Sequence, residues 1–347
     1  MDFTPTEEQG AARELAGRIF ADLATHERLR AAGTGTDAEL WKALCAAGLP
    51  GAVEETGLLG LVLLLEEQGR VTAQVPFVAS VVYGLLGVTR HGTDEQRARL
   101  LPGLRDGTAV VTGAFPAPGT VTARDDGGGT RRLVGAVDWV PWLRDATHVL
   151  VPDADRALWL VRVEDAARVE PVELTAPWSA ARLLLDGAPA ERLGGFDAYE
   201  DVLAAARIAF AGLQAGVCAG SLARAVEYTS VREQFGRPLC THQAVQLRAA
   251  NAHMDTEAIR VTAYEAAWRF DAGLDAAGAA LTAAWWASEA GKRVVHAGQH
   301  LHGGMGADLD HPVHRHFLWG RQLDAYLGSG TELLAELGGL LAEGDLS

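Results

Sequence analysis

Apolar residues recur at helical spacing at both ends of this chain and at strand spacing in its middle. From residue 1 to about 107 the pattern is helical. Thr6 and Gln9 stand three apart ahead of an amphipathic segment, an arrangement in which each side chain satisfies an orphan amide of the first turn. Ala38–Ala47, Gly57–Gly69 and Asp94–Leu104 continue the repeat between glycine and proline breaks. Between about 108 and 197 the character changes. Short runs with β-branched and aromatic residues appear at Ala109–Gly113, Arg132–Val140, His148–Val151, Leu158–Val163 and Arg182–Leu185. Turn clusters such as Asp125-Asp126-Gly127-Gly128-Gly129 and Pro152-Asp153-Ala154-Asp155 separate them, which predicts a small, mostly antiparallel β-domain. From 198 to 347 the pattern is helical again, with long segments at Asp201–Arg232, Thr241–Asp271, Ala276–His302 and Val313–Tyr326. In the first of these Gly212, Gly216 and Gly220 fall at i, i+4 and i+8, a stripe that lets two helices approach closely. Ser329 and Glu332 form a second capping box for a last helix. The expectation is an α+β protein: a helical domain (1–107), a middle β-domain (108–197) and a C-terminal helical bundle (198–347).

Composition narrows the class. The 347 residues are 48% hydrophobic and 22% charged, as in a soluble globular protein with ample core. The net charge of −15, with no run of five or six basic residues, repels a nucleic-acid backbone. Cys45, Cys218 and Cys240 are odd in number and far apart, which fits neither a disulfide framework nor a zinc site. The opening MDFTPTEEQG is acidic and polar, unlike a signal peptide. The longest apolar run, Leu58–Leu65, is too short to span a bilayer and ends in Glu66-Glu67. A cytoplasmic protein without membrane or nucleic-acid partners is expected.

The candidate chemistry lies in the last zone. A guanidinium matches phosphate geometry, so Arg232 suits the pyrophosphate of a dinucleotide, although an Arg after a helix can also be a solvated C-terminal charge. Phe235 offers an apolar face and Gly236 a turn. His242 and Gln243 open the next helix, where backbone amides favour an anion. Gly303 and Gly304 would let backbone pass close to a ligand, and Gly303 also suits a helix C-cap. His296 and His300 share a helix face at i, i+4, but without a Glu between them in the H-E-x-x-H manner, so packing or cofactor contact is preferred over metal binding. Trp268, Trp285, Trp286 and Trp319 read as bundle core or interface.

The stretch from Tyr228 through Arg232, Gln234, Phe235 and Gly236 to His242-Gln243 resembles the signature of the acyl-CoA dehydrogenase flavoprotein family. A second signature follows at matching distance, His300-Leu301-His302-Gly303-Gly304-Met305-Gly306 and then His311-Pro312, and the opening MDFTPTEEQ is similar to the family's first helix. The resemblance implies that FAD is the cofactor, an acyl-CoA the substrate, and the middle domain a small β-barrel. It implies FAD contacts from Arg232, Gln234, Phe235, His242, Gln243, His300, Gly303 and Gly304. In this family the Arg and Phe commonly complete the FAD site of a neighbouring subunit, so a dimer or dimer of dimers is implied too.

The departures from that family are as informative. The family's reaction needs a base for the α-proton of a thioester and a polarised carbonyl. In most members the base is a Glu fifteen residues after the proline of the second signature, and that count from Pro312 falls on Leu327. In others it precedes an Arg twenty-five residues ahead of the FAD-binding Arg, and here Ala206 precedes Arg207. Neither residue takes a proton. In the β-domain, the segments that approach flavin and substrate in the family become Phe115–Thr120 and Trp139-Val140-Pro141, and a proline has no N–H or hydroxyl to donate. The pattern resembles the subunit without a base in heteromeric bacterial acyl-CoA dehydrogenases, including those that shorten steroid side chains. It implies a second subunit carrying the Glu, in a dimer or heterotetramer. Two other readings stay open: a self-sufficient flavoenzyme using Asp324, one helical turn before Leu327, and a CoA- or protein-binding homologue that has lost FAD.

Overall fold

The structure, a computed structural model, describes residues 3–116, 119–126 and 131–344. Two compact units form. Of the described residues, one holds those up to His26, Gly57–Ala73 and those from Arg207 on; the other holds those of Glu27–Thr56 and Gln74–Ala206.

The leading helices are α1 (Glu7–Leu23), α2 (His26–Ala32), α3 (Ala38–Ala46), α4 (Leu49–Val71), α5 (Phe77–Ala79), α6 (Gly87–His91) and α7 (Asp94–Asp106). Thr6 and Gln9 cap α1 reciprocally, and Thr93 with Gln96 does the same for α7. Helix α4 turns at Gly57, whose φ of 71° favours glycine, and the Asp271 carboxylate accepts the next two amides, Leu58 and Leu59, at 2.7 and 2.9 Å. The amphipathic pattern does not reveal α5 and α6. A π-helical stretch, Ser80–Leu86, joins them, and every residue from Phe77 to Val88 is buried, so no polar face marks a helical period.

The middle strands are β1 (Val111–Gly113), β2 (Val121–Asp125), β3 (Arg131–Val140), β4 (His148–Pro152), β5 (Leu158–Arg162), β6 (Arg168–Pro171) and β7 (Ala181–Leu193). They make one seven-stranded sheet in the order β1-β4-β5-β7-β3-β2, with β6 on β7. Among the described residues only the β1–β4 pairing is parallel. Strand β7 is the organiser: Arg131–Val140 pairs along one edge, while β6 takes residues 181–184 of the other edge and β5 residues 191–193. The sequence pattern shows only its first third, because Gly187, at φ 75°, and Pro189 interrupt the apolar alternation. Strand β2 is equally hard to read, since Val121 alone in it is buried. Leu133, Val137, Val149, Val151, Val161, Leu183 and Leu185 form the sheet's core.

The last helices are α8 (Ala198–Val231), α9 (Gln243–Asp271), α10 (Ala277–His302), α11 (Val313–Leu323) and α12 (Gly330–Glu343). A two-residue hairpin, β8 (Glu233–Gln234) and β9 (Arg237–Pro238), lies between α8 and α9. Helix α8 is apolar on nearly every side because its neighbours bury it. Its glycine stripe meets the second part of α4. A Cβ at Gly216 would stand 2.2 Å from the Glu66 carbonyl oxygen, one at Gly220 2.1 Å from that of Arg70, and one at Gly69 2.3 Å from that of Leu213. Beside this seam the fully buried Glu66 carboxylate accepts from Arg13 at 3.3 Å and Arg260 at 3.1 Å, tying α1, α4 and α9 together.

Gly216→Ala is expected to lower the unfolding free energy by about 1–3 kcal/mol, because backbone cannot yield to the new methyl and overpacking outweighs the gain in helix propensity. Gly338 on α12 is the control, since a Cβ there meets nothing within 4 Å. Gly338→Ala is expected to stabilise by about 0.5–1 kcal/mol, and denaturant melts of both variants read the contrast.

Candidate active site

Two groups of residues bear on function, one in each unit. The first begins where α8 ends. The Arg232 amide donates to the Tyr228 carbonyl at 2.9 Å, and its exposed guanidinium makes no ion pair among the described residues. Gln234 then pairs with Arg237 across the hairpin. The tip, Phe235 (φ 55°) and Gly236 (φ 76°), has the double positive φ of a type I′ turn. Phe235 is 92% exposed. A backbone conformation that costs energy for a non-glycine residue thus presents a phenyl ring to solvent.

His242 occupies the N-cap of α9 without capping it through its side chain. Arg237 Nη2 lies 3.2 Å from His242 Nδ1. A guanidinium only donates, so Nδ1 accepts and the ring proton sits on Nε2. That buried N–H has no acceptor among the described residues. The first amides of α9 have no intrahelical acceptor, and Gln243 is exposed at its start.

The second signature adjoins the first. His302, at the end of α10, stacks on Tyr228 at 4.9 Å, and the next residue, Gly303 (φ 64°), turns the chain away. His300, Gly303 and Gly304 are exposed, and a Cβ on either glycine would meet nothing. The glycines therefore leave open space around the turn after α10. His296 lies against Phe317, with Arg321 3.4 Å from its Nε2.

In the same unit Leu327 is buried beside a cavity of about 20 Å³, room for one water at most. Phe210, Tyr326, Leu333, Ala284 and Ala287 line it with Leu327, and Tyr326 meets Phe210 edge-on at 4.7 Å. Arg207 closes one side, held by Glu336 through two bonds of 2.8 and 2.6 Å. Sequence spacing gave no sign of Glu336, which is more than a hundred residues from its partner. Asp324 does not line this cavity. Its carboxylate stands 3.3 Å from Arg321, and burial raises its pKa. Ala206 is fully buried.

The second group lies in the sheet unit. The Pro141 carbonyl is taken by the Thr112 hydroxyl at 2.5 Å. Trp142 follows at φ 56°, fully buried and stacked on Trp178 at 4.5 Å. Phe115 is sandwiched between Tyr83 and Tyr199 at 5.1 and 5.6 Å. Of the Phe115–Thr120 segment, Ala117 and Pro118 lie outside the described residues. For a flavin dinucleotide the two groups differ. The bundle residues fit its pyrophosphate, with a free guanidinium, an N–H lacking an acceptor and an uncapped helix start. The sheet residues do not fit its ring, since aromatic side chains and a proline fill the segments that would donate to it.

Leading helices, a mostly antiparallel sheet and a C-terminal helical bundle, in that chain order, are the architecture of the acyl-CoA dehydrogenase fold. The chain belongs to the acyl-CoA dehydrogenase family: residues 6–108 match its N-terminal domain and 194–336 its C-terminal domain. FAD is the cofactor of this family and of its solved neighbours. The chain is 35% identical to acyl-CoA dehydrogenase FadE27 of Mycobacterium tuberculosis, covering 99% of each chain. Among solved structures it is similar to the Tcur3481-Tcur3483 steroid ACAD G363A variant, with TM-score 0.93, 42% identity and coverage of 98% of this chain and 99% of that one. It is similar also to the ChsE4-ChsE5 complex from Mycobacterium tuberculosis, with TM-score 0.92, 33% identity and 99% of each chain covered.

Arg232→Ala is expected to cut flavin affinity of the assembled protein about 10–100-fold, the loss of one charge-assisted contact. Flavin absorbance per protein after gel filtration reads this. Unchanged flavin content would remove Arg232 from the site.

Proposed function

We propose that this chain is the subunit without a catalytic base in a hetero-oligomeric FAD-dependent acyl-CoA dehydrogenase. Its hairpin and the end of α10 complete an FAD site whose ring pocket and carboxylate belong to a second chain. The observation that carries the proposal is the contrast between its two halves. Arg232 and Phe235 are exposed and the His242 Nε2–H lacks an acceptor among the described residues, whereas Leu327 is buried beside a cavity of about 20 Å³ lined mostly by apolar side chains.

The reaction is α,β-dehydrogenation of an acyl-CoA thioester, and bound FAD supplies the hydride acceptor. Arg232 would neutralise the pyrophosphate, the His242 Nε2–H and the first amides of α9 would donate to it, and Phe235 would shield it from water. The α-proton goes to the second chain's Glu. The acyl group is a steroid side chain, on the strength of the similarity to a steroid ACAD at 42% identity. Asp324 plays no part, because it faces Arg321 rather than the cavity of Leu327.

The test is an enoyl-CoA assay with an artificial electron acceptor. The complex with a Glu-bearing partner should turn over, and the chain alone should fall short by at least the roughly 10²–10⁴-fold that a positioned base contributes. Leu327→Glu should not restore the lone chain, since the flavin-ring contacts would still be missing. Asp324→Asn should leave the complex within about twofold of the parent, because a carboxylate paired with Arg321 and absent from the lining of the Leu327 cavity contributes no base there. Turnover by the lone chain that is lost in Asp324→Asn would overturn the proposal.

A further inference from the structure

A cluster of cationic and titratable side chains adjoins the cofactor corner without belonging to it. His26 opens α2, Arg224 lies on α8, His302 ends α10, and His311, His314, Arg315 and His316 surround the start of α11. Gly220, Arg224 and Tyr228 fall at i, i+4 and i+8 along one face of α8. A Cβ at Gly220 would stand 2.6 Å from His316 Nε2, and Tyr228 stacks on His302 at 4.9 Å. Arg224, between those two contacts, therefore faces the start of α11, and a guanidinium stays charged there. The His311 ring lies 5.0 Å from that of His302.

Hydrogen bonds decide which form of His311 fits. Its Nδ1 accepts the amide of Val313, the first residue of α11, at 3.3 Å. A proton on that nitrogen breaks the bond and strips the helix start of an amide acceptor. His314 differs, because its Nδ1 donates to the His311 carbonyl at 2.6 Å and its other nitrogen can take a proton without losing that bond. Burial first, then His302, Arg224 and His26, hold the His311 imidazole below its ordinary value, and Asp308 opposes them. The next turn of α11 is pinned to α4: Arg315 donates to the Thr72 hydroxyl at 3.4 Å and His316 to the Arg70 carbonyl at 3.0 Å. Burial pushes His316 down to about 4, so it stays neutral in mild acid.

We propose that His311 is a positioning residue for the cofactor corner, which it holds while neutral and releases when protonated. It touches no cofactor. It acts through His302 on Tyr228, whose carbonyl accepts the Arg232 amide at 2.9 Å and so sets where the guanidinium stands. Neutral His311 caps α11 and turns an uncharged ring to His302. Charged His311 loses the Val313 bond and adds a second cation opposite Arg224. In the released corner the ring has the ordinary value of 6.5, while the held corner keeps it neutral to lower pH. Below 6.5 the released form therefore binds more protons, and the held form loses stability as pH falls until it protonates too. The inference rests on the corner being a flavin site. A histidine touching the pyrophosphate, as His242 would, binds it more tightly when protonated, so the sign of the pH dependence separates positioning from contact.

The test is flavin affinity of the co-purified complex, read by absorbance after dialysis against FAD. Between about pH 7.5 and 5.5 it should fall about three- to tenfold, the larger figure being the limit for one proton. His311→Asn offers Val313 an amide oxygen but no titrating group, and should flatten that profile to within about twofold. His311→Ala removes the bond and should weaken flavin about three- to tenfold at both ends of the range. A His311→Asn profile as steep as the parent's overturns the inference, as does affinity that is constant or rises in acid. Amide exchange of Val313 in the lone chain, followed by NMR, is the second measurement. On acidification the parent should lose at least about fivefold protection relative to His311→Asn at the same pH, and equal protection overturns the inference. A complex that holds no flavin at any pH removes the cofactor reading of the corner, and the Val313 exchange still decides whether His311 is the switch.

Discussion

Contact between backbones, glycine to carbonyl, fixes the bundle. Gly69, Gly212, Gly216 and Gly220 bring α4 and α8 so close that a single methyl would stand within about 2.3 Å of a carbonyl oxygen at three of the four positions. At those three positions backbone faces backbone and cannot yield, so the two helices have one spacing and one register. The end of α8 is fixed with it, and so is the corner where Tyr228 meets His302. The Glu66 carboxylate, buried beside the seam, is satisfied only when Arg13 and Arg260 arrive from α1 and α9. An unpaired buried carboxylate would cost several kcal/mol, so the polar cluster allows one arrangement of those helices and disfavours the others.

That rigidity gives the outward corner its chemistry. Phe235 keeps a positive φ and a solvated ring because the flanking strands and the ends of α8 and α9 hold the hairpin. The His242 N–H lacks an acceptor because Arg237 commits the other ring nitrogen. Such unsatisfied features are costly in an isolated chain and become favourable on contact with an anion and a second protein surface. The cavity at Leu327 is the opposite case. There Phe210, Tyr326 and Leu333 pack without a polar demand, and Arg207 is neutralised by Glu336 rather than left for a substrate.

Much of the fold was legible because its signals are local. The caps at Thr6 and Ser329, the glycine stripe on α8 and the strand runs from Arg132 and His148 are short-range patterns, and each corresponds to an element near the place it predicts. The segments that escaped notice share one cause. Phe77–Val88 is buried all round and β7 is broken by Gly187 and Pro189, so neither keeps a period for the sequence to display.

For the site, the sequence alone determined which groups are present: an Arg, a Phe and a His-Gln pair at cofactor spacing, and Leu327 and Ala206 where a base would stand. Residue identity settles that much, since leucine and alanine cannot accept a proton in any fold. Only the tertiary structure decided what those groups face. It turned Arg232 and Phe235 to solvent, left Asp324 to Arg321 and gave Arg207 to Glu336, 129 residues away in the chain. It also separated the buried face of α9 from the exposed heptad of Leu247, Met254 and Val261, two stripes equally apolar in the sequence. Which stripe is covered depends on the neighbouring helices, and their placement follows from packing between residues far apart in the chain.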